Sequence, residues 1–173
     1  MQKPSNWDDV EVYSNKKPTP GYYILRIVNA TEGVSKHGEE LLKLELDICE
    51  GEFDNYFSNL SAKINKNLLL RTVQLTQNEK SLPFFKKLVM DLEASNMNYK
   101  FDFNPLSMRG RKIGAYLITC LYDTKYGQKE GLKIDKFFSI EEARTELGKA
   151  IVQNMKLESE AKKLDEKEDD LPF

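Results

Sequence analysis

A chain of 173 residues fits one domain of usual size plus appendages, and a 40 % hydrophobic content is enough for one core. No apolar run approaches the roughly 20 residues of a membrane helix, and the first residues lack the apolar centre of a secretory signal, so a soluble, cytoplasmic protein is expected. The formal net charge of −2 is uneven: residues 165–173 hold five acids and one base, which leaves 25 Lys and Arg against 23 Asp and Glu before them, so an acidic total does not exclude a polyanion as ligand.

Residues 1–20 read as an irregular arm, ended by the breaker cluster Lys16-Lys17-Pro18-Thr19-Pro20-Gly21. In 21–33, Tyr23, Leu25 and Ile27 alternate with Tyr22, Ile24 and Arg26; neither face is clean, which predicts a central, well-covered strand. Gly33 to Glu40 reads as a hairpin loop. Leu42, Leu44, Leu46 and Ile48 then alternate with Lys43, Glu45 and Asp47, the pattern of a half-buried strand, and Gly51 bends the chain before Phe53, Tyr56 and Phe57. Asn59 to Asn67 is polar and reads as a turn; a third strand is expected near 68–76, with Leu69, Arg71, Val73 and Leu75 on one parity.

Ser81 opens a helix with Pro83 in its first turn, where a missing N–H costs little. Phe85, Leu88, Val89 and Leu92 form its apolar stripe, and it ends by Asn96. After an aromatic loop over 97–110, a fourth strand runs from about Arg111 to Tyr122, with Ile113, Ala115 and Leu117 inward and Lys112, Gly114 and Tyr116 outward. Asp123 to Gly131 reads as the next hairpin loop and 132–138 as a fifth strand. Ser139-Ile140-Glu141-Glu142 has the spacing of a capping box; the helix it opens reaches the low 160s, with a thin apolar face of Ala143, Leu147 and Ile151.

Three strands, a helix and two strands is the order of the oligonucleotide-binding fold, a five-stranded barrel with a helix between strands three and four. The expected architecture is therefore mainly β: an arm (1–20), this barrel (21–140), a C-terminal helical linker (141–164) and a disordered acidic tail (165–173). Cys49 and Cys120 are far apart and end apolar stretches, which suits reduced, half-buried thiols; with His37 as the one histidine, a zinc site is not expected.

The tail closes on Asp169, Asp170, Leu171, Pro172 and Phe173. An apolar anchor, a terminal carboxylate and flanking acids suit a partner pocket with a greasy floor and a basic lip. This tip resembles that of bacterial and phage single-stranded DNA-binding proteins. In the body, Gly21-Tyr22-Tyr23, the stretch Asp47-Ile48-Cys49-Glu50-Gly51-Glu52-Phe53 and Leu82-Pro83-Phe84-Phe85-Lys86 resemble a family of phage and prophage single-stranded DNA-binding proteins, over roughly residues 7–140. The resemblance implies DNA binding in phage replication or recombination. It also implies a tip that recruits replication and repair proteins and competes with DNA for the basic groove.

Gripping unpaired DNA without reading its sequence takes cations along the phosphates and rings that stack on bases. The candidates are Lys36 in the first loop, Lys43 on the second strand, and Arg109, Arg111, Lys112 and Tyr116 leading into the fourth. Lys125, Tyr126 and Lys129 follow in the loop between strands four and five, then Lys133 and Phe137 on the outward face of the fifth. Tyr56 is a further candidate, although a corner-packing role suits it too, and Tyr116 fits either a rim or a stacking ring. Trp7 could cover a barrel end or stack on a base.

No phosphate loop or nucleophile elbow is present, and no catalytic residue, cofactor or metal is expected. The alternatives are a protein-interaction module on the same barrel, or a small metal-dependent nuclease using Asp47, Glu50, Glu52 and Asp54. Homo-oligomerisation through the helix after residue 139 is left open.

Overall fold

The computed structural model describes residues 2–9 and 16–169, with side chains as far as residue 165. Strands β1 (Gly21–Val34), β2 (Glu40–Ile48), β3 (Leu70–Leu75), β4 (Lys112–Thr124) and β5 (Gly127–Phe138) form one sheet in the order β3-β2-β1-β4-β5. Every neighbouring pair is antiparallel. Helices α1 (Tyr56–Ile64), α2 (Leu82–Ser95) and α3 (Ile140–Asp169) complete the fold, α2 lying between β3 and β4 as expected.

The sheet is open. Its edges β3 and β5 approach within 8 Å between Cα atoms, but no ladder of hydrogen bonds joins them. The ladder therefore does not form the closed barrel expected from the element order. Apolar packing spans the gap instead: Phe85, Leu88 and Leu92 of α2 share one core with Leu70 of β3, and Leu132, Ile134 and Phe137 of β5 pack against it. At the far end of α2, Asn96 Nδ2 donates to Leu92 O and Lys112 O, both at 2.8 Å, which ties the helix to the start of β4.

β1 is central, and both of its faces are covered. Leu25 and Ile27 enter the core, while Ile24 is buried on the other side. That side is covered by α3. A Cβ built at Gly114, the partner of Ile24, would lie 2.5 Å from Ala143 Cβ, so only glycine lets α3 approach this closely. Ser139 caps α3, its Oγ accepting from Glu142 N at 3.2 Å.

Several local expectations are corrected. The stretch from Asn59 is not a turn: α1 occupies Tyr56–Ile64. Its first turn is held from another strand. The fully buried Asp47 carboxylate accepts from Phe57 N at 3.0 Å and Ser58 N at 2.8 Å, and from Ser58 Oγ. Such N–H groups have no partner within their own helix, and an anion suits the positive helix end.

The segment from Asp123 to Gly131 is not a loop either. β4 and β5 pair continuously to Thr124↔Gly127, leaving Lys125 and Tyr126 as the turn. The third strand lies within the expected stretch, at Leu70–Leu75; Leu70 is buried while Arg71 and Val73 are exposed. α3 continues past the low 160s to Asp169, through the boundary expected at residue 164. Of the acidic tip, Asp169 ends this helix, and Asp170, Leu171, Pro172 and Phe173 lie outside the described residues.

Candidate nucleic-acid interface

The β4–β5 hairpin outruns the body of the protein. Up to Leu117 the inward residues of β4 are buried; beyond it Thr119, Leu121 and Asp123 are exposed, as are residues 127–130 of β5. The two strands leave the core as an arm whose faces differ. Directly paired residues of antiparallel strands point to the same side. The outer side, facing away from the core, therefore carries Tyr116 opposite Lys136, Ile118 opposite Lys133, and Tyr122 opposite Lys129. The inner side of the arm carries Leu121 opposite Glu130 and Asp123 opposite Gln128.

A bulge sets this segregation. Leu117 pairs with Ile134 and Tyr116 with Lys136, so Asp135 is an extra residue in β5. The insertion shifts the parity and puts Lys136 on the face of Lys129 and Lys133. It also turns Phe137 inward, opposite Ala115, where it packs against the core. The expectation that Phe137 shares the outward face of Lys133 is thus wrong, and the bulge is the reason.

The outer face also carries rings. Tyr22 lies 4.8 Å from Tyr116 and 5.6 Å from Phe138, centroid to centroid. Lys87 Nζ from α2 sits 5.5 Å from the Phe138 centroid. Further out, Tyr122 lies across Gly131: a Cβ there would come within 2.9 Å of Tyr122 Cε1. The missing side chain lets the ring lie against the backbone of β5 while 48 % of the residue stays exposed. At the tip, Tyr126 is 81 % exposed, with Lys125 Nζ 5.0 Å from its ring centroid. Thr124 Oγ1 donates to Gly127 O at 2.7 Å and accepts from Tyr126 N at 3.2 Å, which fixes the turn.

The structure brings Tyr116, Lys125, Tyr126, Lys129 and Lys133 together on this hairpin. The other candidates lie elsewhere. Lys112 sits at the opposite end of β4, paired with Arg26, and ten residues of strand separate it from Tyr122, about 33 Å. The first turns of α3 cover Gly114 between them. Arg111 lies 4.4 Å from the centre of the Tyr99 ring and its Nε donates to Ser107 O at 3.3 Å, so it holds the preceding loop. Arg109 is exposed beside it.

Lys36 is in the β1–β2 turn. Lys43 is exposed on the outer face of β2, opposite Thr31 and Val73. Tyr56 packs edge-on between Phe53 and Phe57, at 5.8 and 5.1 Å, as a corner residue. Trp7 is 62 % exposed.

Sequence reasoning missed Tyr122, Lys136 and Phe138: ending the fourth strand at Tyr122 hid the first, and the bulge at Asp135 hid the faces of the other two. The signal that finds Tyr122 is the alternation Tyr116, Ile118, Cys120, Tyr122 carried through to a two-residue turn before Gly127, whose φ is 110°.

The acids weighed for a nuclease do not converge. Asp47 is consumed under α1, Glu50 pairs with Arg144 and Glu52 with Lys16. Among the described residues no group of three or more His, Cys, Asp or Glu is placed to hold a metal ion. Burial pushes the Cys49 thiol above its ordinary pKa, and its Sγ donates to Ile24 O at 3.5 Å, which keeps it a weak nucleophile. No helix among the described residues is long and apolar enough to cross a membrane. No protein-family model matches the chain, and no curated protein does.

Proposed function

We propose that the protein binds single-stranded DNA without catalysis and largely without sequence preference, in an oligonucleotide-binding-type arrangement of the sheet. The observation that carries this reading is the outer face of the β4–β5 arm. Three lysines on one strand run beside Tyr116 and Tyr122 on the other, with Lys125 and Tyr126 at the tip. Cations of one strand can follow phosphates while neighbouring rings take bases, each stack worth about 1–3 kcal/mol. The strand order, with α2 between β3 and β4 and the edges β3 and β5 drawn close, supports the same fold.

Such a protein coats exposed strands in the cytoplasm during replication, recombination or repair of phage or prophage DNA. Its acidic tip, Asp169 to Phe173, recruits other replication or recombination proteins and competes with DNA for the lysines. Anisotropy titration of a labelled oligothymidine tests it. The expected result is binding that strengthens with oligomer length and weakens steeply with salt. Deleting residues 165–173 should raise affinity at low salt. Absence of binding at low salt would overturn the reading.

A further inference from the structure

At the end of the sheet away from the arm lies a groove of about 190 Å³, formed by the ends of β1 and β2, the start of α2 and the loop at 101–105. Its floor is apolar: Leu42, Leu82, Phe85 and Phe101. That volume is below the ~300–1,000 Å³ of a typical small-molecule site, and suits one or two inserted side chains. Glu32 and Glu40 rim it, and no lysine or arginine is among its described lining residues. Glu40 accepts from Thr76 Oγ1 at 3.2 Å and Gln77 Nε2 at 2.7 Å; both donors are neutral, so its charge is not offset there.

Phe103 stands at the mouth. It is 76 % exposed and has a φ of 61°. A bulky residue in the left-handed region is strained, and here the surroundings hold it. Asp102 Oδ1 accepts from Asn104 N at 3.0 Å and Asn104 Oδ1 from Leu106 N at 3.1 Å. The exposed ring leans on Phe101, centroids 5.1 Å apart. Exposed Leu82 and Leu106 extend the apolar surface.

A second feature of the same molecule is its complement. Beyond its first turns α3 leaves the sheet, and Leu147, Ile151, Val152 and Met155 are all exposed. Leu147, Ile151 and Met155 recur every fourth residue on one side of the helix. Over 147–156 the only charged residues are Lys149 and Lys156; Lys149 pairs with Glu146 at 3.0 Å. This stretch is apolar and basic, whereas the groove is apolar and acidic.

We propose that residues 147–156 of α3 dock in the Glu32–Glu40 groove of a second copy of the chain, Ile151 or Met155 entering beside Phe103 and Lys156 meeting the acidic rim. Each copy offers one groove and one helix, so reciprocal docking closes a symmetric pair and one-way docking builds chains or rings. The proposal is independent of DNA binding and is tested without nucleic acid.

Sedimentation velocity of the full chain over a range of concentration should show association. Ile151→Glu with Met155→Glu should weaken it at least tenfold, and so should Glu32→Lys with Glu40→Lys. All four positions are at the surface or on the groove rim, and circular dichroism checks that each variant keeps its fold. A mixture of the two variants retains one intact groove and one intact helix. It should form a heterodimer and nothing larger, while each variant alone is monomeric. A wild-type chain that stays monomeric, or a groove variant that associates as well as wild type, would overturn the proposal; the second result would point to helix-to-helix pairing.

Discussion

At one end of the sheet, the β4–β5 arm holds Lys129, Lys133 and Lys136 on a single face beside Tyr122. At the other, the groove under Phe103 is rimmed by Glu32 and Glu40. The two regions are separated by the length of β1; from Gly21, at the arm end, to Glu32 is eleven residues, about 36 Å. The chain is nearly neutral overall, so net charge predicts neither surface. Strand periodicity and one bulge sort the charge instead. The difference also divides the work: a basic, ring-bearing face suits a polyanion, while an acidic apolar groove suits a basic, apolar peptide surface.

The largest effect expected from breaking this contrast comes from reversing the arm. Lys129→Glu, Lys133→Glu and Lys136→Glu together should lower oligothymidine affinity at least a hundredfold at low salt and flatten the salt dependence by about 0.7 for each phosphate no longer neutralised. Thermal stability should barely move, because all three side chains are exposed. The same reversal should leave self-association through the groove unchanged.

A smaller loss is expected at the ring. Tyr122→Ala should cost about 1–3 kcal/mol of binding with the salt slope intact, which separates stacking from phosphate contact. Gly131→Val should act in the same direction, since its side chain would occupy the place of the Tyr122 ring. Full affinity in both variants would remove Tyr122 from the interface.

The smallest effect sharpens the comparison by pH. The Phe101 N–H, and then Lys100, hold the Glu93 carboxyl below its ordinary pKa. The Asn104 N–H, and then Ser107, do the same for Asp102. A depressed folded-state pKa stabilises above the ordinary value and is lost as pH falls through the lower one. Acidification below about pH 4 should therefore loosen the loop that carries Phe103, read as faster amide exchange at Phe101 and Asn104 beyond the intrinsic change. The turn of the arm, held by Thr124, has no such carboxylate and should keep its relative protection.

Much of this fold was legible in the sequence where the pattern is local. The clean alternation of β2 marks its core face, and the two-sided apolarity of β1 marks a central strand. The stripe Phe85, Leu88, Leu92 locates α2. What was not legible depends on distant partners. α1 sits in a polar stretch because Asp47, from another strand, supplies its cap. Phe137 faces inward because of an insertion at Asp135 that single-strand periodicity does not reveal. Arg111 looked like one member of a basic run, yet Tyr99 and Ser107 engage it. Lys125, Lys129 and Lys133 were legible as a cluster and Lys136 was not, and the common face of Lys129, Lys133 and Lys136 emerges only from the pairing of β4 with β5.

Ultraviolet cross-linking of oligothymidine to the full chain, with the modified residues located by mass spectrometry, tests the central claim most directly. The arm should carry the cross-links, at Tyr122 and Tyr126, and they should fade as salt rises. Cross-links confined to Trp7, Phe103 or other residues away from β4 and β5 would contradict it.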